Sequence, residues 1–279
     1  MHKLYHEFEF VYTLMYFILM KLVDKMNIYC FFLQICFIIE SQLFRNGANE
    51  QMTLLYKGKT KDVYEHTNNQ VRLQFKDDVT GEDGVFDPGA NTVGAKIKGV
   101  GKSGLRVTTY FFKLLQTNGI PTHFVSSSIE ERSMIVKKAT MFGNGLEVIC
   151  RYRAVGSFYR RYGAYCEEGE ILPAITEVTL KDDDRNDPPI SKETLVALNI
   201  VPEDTYDEII DLTKKITALV HEACAQHGLE LYDIKLEFGQ DPETGKLMLI
   251  DEISGGNMRL YKKDEYVEPL ELEGYLLND

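Results

Sequence analysis

The chain has 279 residues, 44% of them hydrophobic and 27% charged, a mixture that suits one large or two ordinary globular domains and excludes a disordered chain. Its 43 acidic against 31 basic residues leave a formal charge of -12. That balance argues against nucleic acid as a partner, because a phosphate backbone needs a basic face, but it leaves room for small anions held by local basic clusters. Five scattered cysteines, Cys30, Cys36, Cys150, Cys166 and Cys224, form no CxxC pair. Neither a disulfide framework nor a zinc site is expected, and a reducing cytoplasm fits.

Residues 1–51 stand apart in composition, rich in aromatic residues, with no proline and a single glycine, Gly47. Two apolar runs, 10–20 and 27–39, are split by Lys21, Asp24 and Lys25. Each is shorter than the roughly 20 residues that span a bilayer, so a membrane is not expected as a partner. Glu7 and Glu9 sit where a signal peptide carries basic residues. The segment reads either as the product of a misplaced start codon, with Met52 the true first residue, or as an amphipathic extension.

From Met52 the pattern alternates in short pieces. Residues 54–64 and 71–76 read as strands of a meander, with turns at Gly58 and at His66-Thr67-Asn68-Asn69. Around the first turn, Tyr56-Lys57-Gly58-Lys59-Thr60-Lys61 sets three lysines about one glycine, where backbone amides and point charge can meet a phosphate. A solvated strand end carries lysines too, and this is not a Walker A loop. Residues 80–104, with seven glycines, read as a long loop able to close over a ligand. A helix follows over 107–118, stopped by Gly119, and Pro121 opens the next strand region. Strands are expected at 133–138 and 146–152, with a candidate hinge at Gly143-Asn144-Gly145.

Four arginines then fall within residues 151–163, around Gly156-Ser157. Guanidinium forks and a hydroxyl so clustered in an acidic chain suit one phosphate or carboxylate, although a basic strand edge would look similar. The run Asp182-Asp183-Asp184 reads as a solvated loop, since consecutive carboxylates point apart on an extended chain. The clearest helix covers 206–227, with Ile209, Leu212, Ile216, Leu219, Val220 and Ala223 in one stripe and Gly228 at its end. Strands at 230–238 and 246–253 are joined by the turn Asp241-Pro242-Glu243-Thr244-Gly245. Period two puts Asp233, Lys235 and Glu237 on one face, and the hairpin can bring Glu237 to Asp251, a candidate Mg²⁺ seat beside phosphates. A plain charged strand face is the competing reading. His123, His221 and His227 lack ligand or nucleophile spacing, and Cys150, Cys166 and Cys224 read as packing residues.

Four stretches taken together, 58–64, 151–163, 233–239 and Asp251-Glu252-Ile253-Ser254, closely resemble in order the signatures of the SAICAR synthetase family. The resemblance covers essentially residues 52–261. It implies an α+β, two-lobed fold with an ATP-grasp-like nucleotide site: an antiparallel-sheet ATP-binding domain over 52–138, and a domain carrying substrate and metal sites over 139–279. It also implies an ATP- and Mg²⁺-dependent ligase that phosphorylates the carboxylate of CAIR and then joins it to L-aspartate. On that resemblance Lys57, Gly58, Lys59, Lys61, Lys137, Glu147, Glu237 and Asp251 fall to ATP, with Glu237 and Asp251 also holding the metal. Arg151, Ser157 and Arg259 fall to the CAIR anion, and Lys181, Asp187, Asp233 and Lys235 to the reaction centre. A homo-oligomer is compatible with the resemblance.

Two departures stand out. Ser254-Gly255-Gly256 replaces the family's Ser-Pro-Asp, and Leu260-Tyr261-Lys262 replaces Leu-Trp-Asp. A small-molecule kinase with a similar two-lobed site, or a nucleotide-binding relative without turnover, are the competing functions.

Overall fold

The computed structural model describes residues 52–82, 85–87 and 92–277. The chain divides into two units, Met1–Gln51 and Met52–Asp279. The first, with the start-codon and extension readings attached to it, lies outside the described residues.

In the second unit, β1 (Leu54–Lys57), β2 (Lys61–Thr67) and β3 (Gln70–Phe75) form the expected meander. Gly58 is required at the first turn, because a Cβ there would lie 2.3 Å from the Lys61 carbonyl oxygen. The expected loop over 80–104 is different. Its described residues make a three-stranded sheet of β4 (Asp78–Glu82), β5 (Val85–Phe86) and β6 (Val93–Lys96), and helix α1 (Val100–Thr117) begins inside it rather than at residue 107. The glycines that suggest a loop serve close approach instead. A Cβ on Gly94 would meet the Gly81 backbone at 2.4 Å, and one on Gly101 would meet the Lys76 carbonyl oxygen at 2.3 Å.

α1 buries Leu105, Val107, Phe111, Phe112 and Leu115. Strands β7 (Phe124–Ser128) and β8 (Ser133–Lys137) complete a five-stranded sheet in the order β1-β2-β3-β8-β7.

The rest of the chain builds a seven-stranded antiparallel sheet. It contains β9 (Thr140–Met141), β10 (Leu146–Arg153), β11 (Ile171–Leu180), β12 (Glu230–Gln240), β13 (Leu247–Ile250), β14 (Met258–Lys262) and β15 (Glu265–Tyr266), with the path β11-β10-β12-β14-β15 and both β9 and β13 paired to β12. Around it lie α2 (Gly156–Tyr162), a 3₁₀ turn (Asp183–Arg185), α3 (Lys192–Ala197), α4 (Glu203–Gln226) and α5 (Pro269–Leu276). No described helix is long and apolar enough to cross a membrane.

Alternation gives the large sheet two unlike faces. Val148, Cys150, Val178, Ile234 and Leu236 face the stripe of α4, where Ile209, Ile216, Val220 and Ala223 join them in one buried cluster. Each fully buried aliphatic side chain there contributes roughly 1.5–3 kcal/mol. The intervening residues of β10, β11 and β12, polar or charged apart from Ile149 and Ile175, line the opposite face. The two larger sheets are joined where β13 meets the lead-in to β7, since the Leu249 N–H donates to the Pro121 carbonyl at 3.0 Å and the His123 N–H donates to the Leu249 carbonyl at 2.9 Å.

Candidate active site

Strand register arranges the polar face in rows. Thr179, Glu147 and Glu237 pair across β11, β10 and β12; Glu177, Ile149 and Lys235 form the next row; Ile175, Arg151, Asp233 and Arg259 form the third, reaching β14. The first and third rows are four residues apart along β12, roughly 13 Å at strand rise.

At the first row, four acids and three lysines interlock. Lys181 Nζ donates to Glu237 at 2.6 Å, and Lys235 Nζ donates to Glu147 at 2.6 Å. Lys61, buried at the start of β2, lies 3.1 Å from Asp251 and also bonds Glu252. Burial alone would lower the pKa of Lys61 and Lys181, but Asp251 with Glu252, and Glu237 with Asp251, outweigh it and hold both ammonium groups charged.

The two central carboxylates split. Burial and the like charge of Asp251 push Glu237 up, whereas burial of Asp251 is overcome by Lys61 and Lys181, which hold it down. Asp187 is pushed up by burial and by Glu147, and it accepts the Asp182 N–H at 2.7 Å. Asp251 and Asp187 sit in left-handed backbone, at φ 64° and 44°, a strain that recurs at functional sites.

At the third row, Asp233 gathers the arginines. Arg151 Nη1 and Arg259 Nη1 each donate to Asp233 Oδ2 at 2.7 Å, and Arg151 Nη2 donates to Ser157 Oγ at 2.9 Å. Glu177 takes Arg151 Nε at 2.6 Å. Remaining N–H groups on both guanidiniums can meet an incoming anion, since arginine carries five. Gly156, at φ 54°, starts α2, and a Cβ on it would lie 2.7 Å from the guanidinium carbon of Arg259. Because Arg259 is tied to Asp233 and to Asp87, it cannot yield freely. Gly156→Ala is expected to cost about 1–3 kcal/mol in urea unfolding. A midpoint unchanged from the parent would show that Arg259 is free to move.

The expected site residues thus converge, with two exceptions. Lys57 is exposed on β1, and Lys137 pairs with Asp241 at 3.5 Å. Glu147 stands in the acid–lysine cluster with Glu237 and Asp251, away from Lys137. Lys59 reaches Asp183 at 2.6 Å and Arg185 reaches Asp182 at 2.8 Å, so two carboxylates of the aspartate run have partners.

Glu177 has no sequence signal, and Glu252 stands in the motif Asp251-Glu252-Ile253-Ser254 without an assigned role; Asp251's left-handed turn is what brings Glu252 under Lys61. The Ser254-Gly255-Gly256 departure also has a steric basis, because a Cβ on Gly255 would lie 2.7 Å from Pro269 Cα. Tyr261, in place of tryptophan, stacks on Tyr232 at 3.8 Å.

His123 is buried against Phe112, with Nε2 3.2 Å from the Asp251 carbonyl oxygen. Burial lowers its pKa from 6.5 to about 4. The folded protein therefore keeps it neutral, while the unfolded chain takes up a proton below 6.5, so this residue's share of stability is lost as pH falls from 6.5 toward 4. The difference in unfolding free energy between the parent and His123→Gln should shrink by roughly 3 kcal/mol over that interval. Parallel pH profiles would exclude this role.

A family model described as SAICAR synthetase matches residues 54–273. A phosphoribosylaminoimidazole-succinocarboxamide synthase from Clostridium tetani is 58% identical over 226 residues, covering 81% of this chain and 100% of the relative. The chain belongs to the SAICAR synthetase family.

Solved members of the family share the fold. A SAICAR synthetase in complex with ADP is 32% identical, with a TM-score of 0.66 over 78% of this chain and 88% of that one. The synthase from Ehrlichia chaffeensis is 28% identical, with a TM-score of 0.69 over 81% and 92%. SAICAR synthetases are α+β proteins with antiparallel sheets, as here, and membership makes this chain an ATP-dependent ligase of purine biosynthesis. The small-molecule kinase reading is thereby set aside.

Proposed function

We propose that the two ends of the polar face divide the ligation between them. The acid–lysine row takes the phosphates of ATP, and the Asp233 row takes the phosphate of CAIR, with L-aspartate arriving between them. The observation that carries this reading is their placement on one face of β10 and β12, a nucleotide-sized span apart.

In the first step a carboxylate oxygen of CAIR bonds to the γ-phosphorus as ADP leaves, giving an acyl phosphate. In the second, the amine of L-aspartate attacks the acyl carbon, gives up a proton, and phosphate departs. Lys61 and Lys181, held charged, neutralise the oxygens of the transferring phosphoryl group. Asp187, with its raised affinity for protons, and Lys235 border the acyl carbon. Gly58 and Lys59 close the turn over the nucleotide, with Lys57 and Lys137 at the rim.

Glu237 and Asp251 suit Mg²⁺, which binds through one or two carboxylates plus phosphate oxygens; their mutual repulsion within a buried site is what a cation relieves. When bound, the ion supplies charge neutralisation at the phosphates. Arg151, Ser157 and Arg259 orient CAIR by its phosphate. On this reading residues 52–138 form the ATP-binding domain and 139–279 the substrate and metal domain, and the protein works in the cytoplasm.

The test is ADP release and product mass with ATP and Mg²⁺, adding CAIR and L-aspartate separately and together. SAICAR formed only with both supports the reading. ATP binding without product would instead favour a relative without turnover.

A further inference from the structure

Tyr266 has a buried hydroxyl with no hydrogen-bond partner in the protein. Its Oη is shielded from solvent, and buried phenols usually find a partner. The position is fixed from several sides. In the β14–β15 hairpin Tyr266 pairs with Tyr261, and the two rings meet edge to face at 5.6 Å. Tyr261 in turn stacks on Tyr232, and the Arg153 guanidinium lies over the Tyr232 ring, 5.4 Å from its centroid.

Strand alternation sets the direction. Tyr261 lies two residues beyond Arg259 on β14, so Tyr266 opposite it shares the face on which Arg259 and Arg151 both bond Asp233. The hydroxyl feels Glu268, Arg259, Tyr261 and Asp233 electrostatically, and burial is the chief cause of its raised pKa. It remains a neutral donor beside a guanidinium. A fixed donor left unpaired in the free protein costs stability, and that cost is recovered only when an acceptor arrives.

We infer that Tyr266 is a substrate-positioning residue whose hydroxyl donates a hydrogen bond to the phosphate of the anionic ribonucleotide held by Arg151, Ser157 and Arg259. The inference rests on the assignment of that pocket to CAIR. The hydroxyl adds a directional neutral donor to a site otherwise built from charged forks, and it fixes the phosphate's rotation and hence the carboxylate's approach to ATP.

The test is Tyr266→Phe in the full chain, which keeps the ring and removes only the oxygen. The KM for CAIR should rise about 10- to 100-fold, the loss expected for a hydrogen bond to a charged group, with the KM for ATP unchanged. The thermal midpoint of the ligand-free variant should equal or exceed the parent's, because an unsatisfied buried hydroxyl has been removed. With the dephosphorylated nucleoside of CAIR, parent and variant should behave alike.

An unchanged KM for CAIR with a lowered midpoint would make the hydroxyl purely structural and overturn the inference. An equal loss with the nucleoside would move the contact off the phosphate and overturn it as well. If the unmodified protein showed no CAIR-dependent turnover, the pocket assignment itself would fall, and this inference with it.

Discussion

Glu237→Gln and Asp251→Asn each lower kcat by about 10²–10³ while the protein stays folded, the loss expected when a group stabilising transferred charge is removed. Both changes preserve volume and exchange one oxygen for a donor. In Glu237→Gln, Lys181 loses its hydrogen-bonded carboxylate and keeps only the attraction of Asp251 and Glu147. In Asp251→Asn the backbone is spared, since asparagine tolerates the φ of 64° there, but Lys61 keeps only Glu252. The two carboxylates also repel each other across a buried site, so the loss of either charge removes the feature that favours a divalent cation. The measurement is steady-state kcat with saturating CAIR and L-aspartate, alongside thermal melts. Variants with kcat within about twofold of the parent and unchanged melts would remove both residues from the phosphoryl-transfer site.

Arg151→Ala produces the other large effect, and it acts twice. Removing the guanidinium leaves Asp233 with Arg259 alone and strips Glu177 of its buried partner, so unfolding free energy should fall by about 3–5 kcal/mol. It also removes the donors that meet the CAIR phosphate, so the KM for CAIR should rise at least about 100-fold. Adding Glu177→Gln to Arg151→Ala removes the charge that has lost its buried partner and should restore part of the stability while leaving CAIR affinity lost. Recovery of both together would mean that Arg151 acts only through folding. Arg151→Lys is expected to rescue neither, because one ammonium cannot bond Glu177, Asp233 and Ser157 along three directions.

The parts of this site that were legible in the chain are those encoded locally. Period two along residues 233–237 already places Asp233, Lys235 and Glu237 on one face, and the pairing of β12 with β13 then brings Asp251 to them. Ser157 lies six residues after Arg151, and a Gly-Ser turn is enough to fold it back onto the guanidinium. The stripe of α4 is likewise a short-range signal. The long-range partners had no such signal. Lys61 and Glu252 are 191 residues apart, and nothing near either one announces the other. Residues 80–104 misled for a related reason, because glycine marks a flexible loop and a tight backbone crossing equally well, and only the neighbouring chain tells them apart.

Helical stripes, strand alternation, turn chemistry and four ordered motifs therefore determined the elements, their inward faces and the family, because each depends on residues within a turn or two of one another. Sheet order and register decided the rest: that Asp233 binds two arginines, that Glu252 lies under Lys61, that His123 is buried and neutral, and that the Tyr266 hydroxyl is buried without a partner. Those facts arise from charges and donors brought together across strands far apart in the chain, where burial strengthens every pairing and penalises every group left without one.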